Sequence, residues 1–322
     1  MIISKEQFFK VQQSIKNIPF NQTNSWLECG NLESICKIIY FVDNMENPQI
    51  ACWGRETSRV FFGRKLMIDG IAYNSDIKHK VLTDFFKSLT LEGYATIEVS
   101  DIEKYSPTFE IGIRRAGFVR PWGLSLCPMS IIVNLEHDFN FHRNWKRNVK
   151  KSRELGNVFE HIECPTLLDA RAYIELFSSL KDRKGVSYSL SSIEILNLLQ
   201  GNYDLFFIKD QNGHYLSGRI EYRCGELIYD TYAATNSDGI KSGAAYQIQE
   251  DIFMFYKNRG YKRFDYGRIS PSNNKMDDIF IAKSYSGGEP IGYNGQWLYT
   301  TSLFKYLLKK IYSSIIRNNS FY

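Results

Sequence analysis

"FFKSLTLEGYATIEVS" (residues 85–100) reads as the end of an amphipathic helix, a Gly93-Tyr94 turn and a strand. About half the chain further on, "IFMFYKNRGYKRFDYGRIS" (252–270) repeats that order around Gly260-Tyr261. Each copy follows a strand-like stretch, "RKLMIDGIAYN" (64–74) in the first and "ELIYDTYAATN" (226–236) in the second. Upstream of the second copy, residues 203–236 alternate strand-like runs with turn signals at Asn212-Gly213 and Cys224-Gly225, as an antiparallel meander does. Strands, then a helix, then a strand predict an α/β fold with mixed sheets, in two similar lobes set in tandem. The plainer alternative is that each Gly-Tyr is an ordinary helix C-cap followed by a return strand.

Composition narrows the class. Of 322 residues 43 % are apolar and 15 % aromatic, which suffices for a packed core and excludes a disordered chain. A net charge of +5 is too mild for a protein that coats nucleic acid, so any anion site must come from local clustering. Ser4 and Gln7 are spaced as a helix capping box, and Lys5 and Glu6 interrupt any signal-peptide pattern. No run of about 18 apolar residues exists to span a bilayer. The six cysteines are scattered without a C-x-x-C, and the five histidines form no cluster. Reduced thiols, a cytoplasmic setting and no metal are therefore expected; Asp277-Asp278 alone is too sparse for a cation.

In order and spacing, several segments resemble the Fem family of aminoacyl and peptidyl transferases, whose members are built from two GNAT-type acyltransferase lobes. They are "PFNQTNSW" (19–26), "RRAGFVRPWG" (114–123) followed by "IIVNL" (131–135), then a basic helix, "YAATN" (232–236), "NRGYKRFDYGRI" (258–269) and "IAKSYSGG" (281–288). The last is similar to the family's F-K-x-x-F-G element, with Ala282 and Tyr285 where the family has Phe. No long charged helical hairpin interrupts the second half, so the chain resembles the compact, armless members. The expected lobes are 1–137 and 138–301, with an amphipathic C-terminal helix over 302–322.

The basic helix is "RNWKRNVKKSRELG" (143–156). At about 100° per residue, Arg143, Lys146, Arg147, Lys150, Lys151 and Arg153 share one half of it, and Phe141, Trp145, Val149, Ser152 and Leu155 the other. Gly156 suits a left-handed C-cap. A charge run is commonly a solvated face. Six cations without an interleaved acid also repel one another unless an anion is near, and the Arg fork fits phosphate oxygens. Arg143, Arg147, Lys150 and Lys151 are thus candidates for the pyrophosphate of a nucleotide-sugar or lipid-linked acceptor, for coenzyme A, or for a tRNA backbone.

Acyl transfer of the GNAT type needs no covalent intermediate, because a bound amine attacks the activated donor directly. The residues singled out for that chemistry lie in the second half. Asp265, at a strand end where the family has an Asp, is a candidate base, with a salt bridge to Arg263 or Arg268 as the structural alternative. Glu221 and Asp230 fall on central strands, where an acid must be paired or functional. Tyr232 and Asn236 are candidate substrate donors, and Arg268 and Lys283 candidate contacts to a phosphate or carboxylate. "IKSGAA" (240–245) half-matches the GNAT pyrophosphate loop, with Gly243 and Ala245 in place but Ile240 for Gln or Arg, which weakens coenzyme A as donor.

The expected function is acyl or aminoacyl transfer to an amino group on a cell-envelope or surface-glycan precursor, from acyl-CoA or aminoacyl-tRNA and with no tightly bound cofactor. Two rivals stand beside it: an acyl-CoA-dependent N-acyltransferase on a nucleotide-linked amino sugar, and a non-catalytic nucleic-acid-binding protein using the basic helix. The C-terminal helix has an apolar arc and a cationic arc, so it either packs on the body or lies peripherally on the inner face of an anionic membrane.

Overall fold

A computed structural model describes residues 1–60, 63–121, 128–184, 189–269, 277–304, 306, 307 and 311. The chain divides into two compact units, Met1–Leu27, Asn31–Pro128 and Gly292–Tyr322 in one, and Glu28–Gly30 and Met129–Ile291 in the other.

The first unit opens with β1 (Ile2–Ile3), α1 (Lys5–Gln12), α2 (Asn24–Cys29) and α3 (Leu32–Ile35). The capping box is present, with the Ser4 side chain accepting from the Gln7 amide and the Gln7 side chain from that of Ser4. There follow β2 (Lys37–Val42), β3 (Ile50–Arg59), β4 (Gly63–Asp69), β5 (Ala72–Tyr73), α4 (His79–Thr90), β6 (Thr96–Lys104) and α5 (Pro107–Arg115). The second unit holds β7 (Met129–Asn134), α6 (Arg143–Glu154), β8 (Val158–Ile162), α7 (Leu167–Lys184), α8 (Ser192–Leu199), β9 (Tyr203–Lys209), β10 (Tyr215–Cys224) and β11 (Leu227–Thr235). It continues with α9 (Ser237–Ser242), α10 (Ala244–Lys257), β12 (Arg263–Asp265) and α11 (Asp277–Ser284), after which β13 (Glu289–Thr300) carries the chain back to the first unit.

The repeat is real at the level of backbone. α4 ends at Thr90 and α10 at Lys257, and the glycines that follow, Gly93 and Gly260, have φ of +76° and +82°, the left-handed region where a side chain is strained. Each helix returns into a strand parallel to an earlier strand of its unit, β6 beside β4 and β12 beside β11; the other pairings described within each unit are antiparallel. Leu82, Phe85, Phe86 and Leu89 on α4, and Ile248, Ile252, Phe253 and Tyr256 on α10, turn their helical stripes into the core of their unit.

The sheet of the first unit runs β1-β2-β3-β4-β6-β13, and that of the second β7-β12-β11-β10-β9-β8. Each is therefore completed by a strand from the other half of the sequence: β7 pairs with β12, and β13 with β6. The lobe expected over 1–137 contains β7, whereas the second unit takes in Glu28–Gly30 and Met129–Ile291, and the chain from Gly292 onward belongs to the first. Most of the C-terminal segment 302–322 lies outside the described residues.

One buried polar network belongs to the first unit. Asp101 on β6 is 1 % exposed, and its Oδ2 accepts from Asn294 Nδ2 at 2.7 Å and from the Tyr73 hydroxyl at 3.3 Å. Asn294 Oδ1 in turn accepts from the Ser106 amide, at the N-cap of α5, at 2.8 Å. Burial pushes the Asp101 carboxyl up to about 6, against the pull of Asn294 and Tyr73. The folded protein keeps this proton to higher pH than the unfolded chain, so the stability it contributes is present in acid and is lost as pH rises from about 4 through about 6. Asp101→Asn should remove that slope, and its melting temperature relative to the parent should climb across this window. Parallel curves in thermal melts would refute the assignment.

Candidate functional site

The hairpin β10–β11 carries the most concentrated set of buried charges among the described residues. Its register pairs Arg219 with Ala233 and Ile220 with Tyr232, then jumps to Glu221 with Asp230, leaving Thr231 without a partner. This bulge has a large consequence, because cross-strand partners share a face and a one-residue slip exchanges the faces. In unbroken register Asp230 would oppose Tyr222; with the bulge it shares a face with Arg219 and Glu221.

There the Arg219 Nη1 donates to both oxygens of Asp230, at 3.0 and 2.9 Å. Lys283, near the end of α11, reaches the same carboxylate with Nζ 3.0 Å from Oδ2, and donates also to the Tyr266 carbonyl at 3.0 Å. The ammonium stands 4.8 Å from the centroid of the Tyr266 ring, close enough for cation–π attraction. Asp230 is 3 % exposed through its side chain, Arg219 11 % and Lys283 21 %, so Lys283 is the member nearest to solvent. Burial opposes the charge on Asp230, but Lys283 and Arg219 prevail and hold its carboxyl below the ordinary carboxylate value. Glu221 behaves oppositely. It is fully buried, neither of its carboxyl oxygens has a hydrogen-bond partner among the described residues, and burial followed by repulsion from Asp230 raises its carboxyl well above the usual range.

Asp265 is 1 % exposed and ends β12. Its Oδ1 accepts from the Ser130 hydroxyl and, at 2.8 Å, from the Gly267 amide. It thereby shapes the turn that presents the Tyr266 carbonyl to Lys283. Sequence reasoning singled out Glu221, Asp230, Lys283 and Asp265 but missed Arg219, Tyr266 and Ser130. Arg219 left a signal, since in "SGRIEYR" (217–223) it alternates with Glu221 and must face the same way.

The remaining candidates stand elsewhere. Tyr232 pairs with Ile220, so the bulge assigns it to the other face of the sheet. Asn236 is the N-cap of α9, its Oδ1 accepting from the Gly239 amide at 2.8 Å while its Nδ2 donates to the Tyr215 carbonyl at 2.8 Å. Arg268 is exposed beyond the Gly267 turn.

α6 is two-faced as its spacing predicts, burying Trp145, Val149 and Ser152, with Phe141 stacked on Trp145 at 5.2 Å and Gly156 left-handed at φ +72°. Beyond Glu154, the acids near α6 come from α10: Arg153 pairs with Glu250 at 3.1 Å and Asp251 at 2.8 Å. Lys150 meets Glu154 at 3.7 Å, and Lys151 donates to the Lys241 carbonyl at 2.7 Å. Among the described residues no acid pairs with Arg143, Lys146 or Arg147, so the cations left for a ligand lie in the N-terminal half. An open groove of about 580 Å³ runs along this helix, lined by Phe141, Lys146, Val149, Lys150, Arg153, Glu154 and Glu250. Arg143→Ala with Arg147→Ala should weaken binding of a phosphate-bearing ligand and shift stability by no more than about 0.5 kcal/mol, since exposed charges contribute little. Unchanged affinity for a phosphate-bearing substrate or for RNA across salt concentrations would make the run a solvated face.

The half-matching pyrophosphate loop packs closely against α6 at Gly243. Gly243 joins α9 to α10 at φ +84°, and a Cβ there would lie 2.4 Å from the Asn148 carbonyl oxygen of α6. The glycine thus serves a close helix approach. Among the described residues no cluster of His, Cys, Asp and Glu could hold a metal ion, and no helix is long and apolar enough to cross a membrane.

No family model matches the sequence, and no curated protein matches it. Solved structures do resemble the fold. FemX superposes with a TM-score of 0.76 at 13 % identity, covering 96 % of this chain and 98 % of that one. L-PGS from Bacillus licheniformis gives 0.64 at 12 % identity, covering 96 % of each chain. The C-terminal domain of a putative lysylphosphatidylglycerol synthetase from Agrobacterium fabrum gives 0.63 at 10 % identity, covering 97 % of this chain and 96 % of that one. At such identities the likeness establishes an architecture, and over nearly its whole length this chain has the mixed α/β fold of FemX and of these synthetase domains.

Proposed function

We propose that this protein is an aminoacyl or acyl transferase in which an amino group of the acceptor attacks the activated carbonyl of the donor directly, with Lys283 offering positive charge to the oxygen that becomes anionic. The buried Arg219–Asp230–Lys283 cluster is the observation that carries this reading. Asp230 and the Tyr266 carbonyl take two of the three ammonium N–H donors of Lys283 and aim it, while Arg219 holds Asp230 in place. A cation fixed in advance costs no reorganisation when charge develops.

Two observations favour an aminoacyl-tRNA over acyl-CoA as the donor. The turn that would cradle a pyrophosphate has Ile240 where Gln or Arg is expected and spends Gly243 on a close approach to Asn148, and the N-terminal half of α6 leaves Arg143, Lys146 and Arg147 for a longer phosphate backbone. One similar structure is named for joining lysine to phosphatidylglycerol, which fits an acceptor that is a cell-envelope precursor carrying phosphate. A nucleotide-sugar or lipid-linked precursor, met in the cytoplasm or at the inner membrane face, is the acceptor class proposed here.

The test is mass spectrometry of the purified protein with charged-tRNA or acyl-CoA donors and a panel of amino-sugar nucleotide and lipid-linked acceptors. A mass increment on one acceptor, dependent on one donor and lost in Lys283→Met, is expected. RNA binding without transfer to any acceptor would favour a non-catalytic nucleic-acid-binding protein instead.

A further inference from the structure

Glu221 sits in the middle of three acids on adjacent strands. Register places it directly opposite Asp204 of β9 on one side and Asp230 of β11 on the other. Directly opposed residues have Cβ atoms about 4.5–5.5 Å apart, so the three carboxyl groups form a ladder across the sheet. The two outer acids are fully engaged. Asp204 meets Arg223 at 3.0 Å, the Tyr256 hydroxyl of α10 at 2.8 Å and His161 of β8 at 3.4 Å. Asp230 has Arg219 and Lys283. Among the described residues no donor reaches Glu221: its two oxygens are fully buried and unpartnered, and the Arg219 Nε on the same strand, though buried and unpartnered as well, makes no hydrogen bond to them.

We propose that Glu221 holds a proton in the folded protein at neutral pH, and that this proton leaves the Arg219–Asp230–Lys283 cluster with one positive charge in surplus for an anionic oxygen of the substrate. The inference rests on the functional reading of the cluster given above. An ionised Glu221 would stand fully buried, with no hydrogen bond among the described residues and between two like charges, which pair with Arg219, Lys283 and Arg223. The groups that face it from every neighbouring element are Asp204, Arg219, Arg223, Asp230, Tyr256, Lys283 and Tyr266, with His161 acting through Asp204. Burial is the largest cause of its raised carboxyl and Asp230 the next.

The charge count follows. With Glu221 neutral, two cations face one carboxylate; with Glu221 ionised, the cluster is electrically balanced and Lys283 has no surplus to offer. Glu221 is thus a positioning residue that acts through Lys283. Its loss of a proton at high pH should switch the site off, giving transfer an alkaline limb.

The proton can be observed without any substrate. Infrared spectra of the intact protein at about pH 8, where Asp101 is ionised, should contain a carbonyl-stretch band of a neutral carboxylic acid that disappears in Glu221→Gln. If the variant does not fold, carbon-13 labelling of glutamate carboxyls in the parent protein provides the same reading. One glutamate resonance should stay at the neutral-acid position up to about pH 8, where the ordinary glutamates are ionised. Absence of that band or resonance overturns the proposal. With an identified donor and acceptor, Glu221→Gln should abolish the alkaline limb of the pH profile; an unchanged limb would also overturn it. A protonated Glu221 in a protein that transfers nothing would uphold the proton and sink the catalytic reading of the cluster.

Discussion

Lys283→Met is expected to lower kcat for transfer about a hundredfold or more while the protein stays folded, because it removes a fixed charge at the point where negative charge develops. Methionine keeps most of the aliphatic stem against the Tyr266 ring, so packing is largely conserved. Asp230 would retain its two contacts with Arg219, at 3.0 and 2.9 Å, and no buried charge would be orphaned. A contact made equally in ground and transition states would raise KM alone, whereas the oxyanion role predicts a loss in kcat. Lys283→Arg should recover only part of the rate, since the planar guanidinium cannot reproduce a compact ammonium donating to Asp230 and to the Tyr266 carbonyl at once. Steady-state kinetics with the donor and acceptor found by mass spectrometry decide the matter. A folded Lys283→Met protein with unaltered kcat and KM would remove the cluster from the chemistry.

Asp230→Ala has the largest expected effect on stability, about 3–5 kcal/mol, because it strands Arg219 and Lys283 beside each other with little access to water. Burying an ion pair need not stabilise a protein, but breaking one does destabilise it. Removing Arg219 as well should return part of the loss: Arg219→Met with Asp230→Ala leaves one cation, Lys283, which has the Tyr266 carbonyl and the most exposed position of the three. Urea unfolding of the two single variants and the double variant completes the cycle. A cost below about 1 kcal/mol for Asp230→Ala, the range of a surface pair, would mean that the cluster is solvated.

Much of the architecture follows from local chemistry that one sequence contains. The helix-Gly-Tyr-strand repeat is legible because only glycine rests easily at φ near +80°, and because a 3.6-residue stripe gives way to alternation across that point. The capping box at Ser4 and the two faces of α6 are legible for the same reason: their causes lie within a few residues of one another. Glu221, Asp230 and Lys283 also stand out singly, the first two as acids on central strands and the third within a motif-like turn.

Their meeting is another matter. Asp230 joins the face of Arg219 and Glu221 only because Thr231 is bulged, and alternation along β11 gives no sign of where a register will slip. Glu250 and Asp251 neutralise the end of α6 from nearly a hundred residues away, which a local count of its charges cannot register. The exchange of β7 and β13 between the two sheets depends on which edge each strand finds. Propensity, capping and periodicity act over one or two turns of chain and so determine helices, turns and faces. Register, edge pairing and long-range ion pairs depend on free energies that exist only once distant segments are packed, and those decided which of the marked residues became a site.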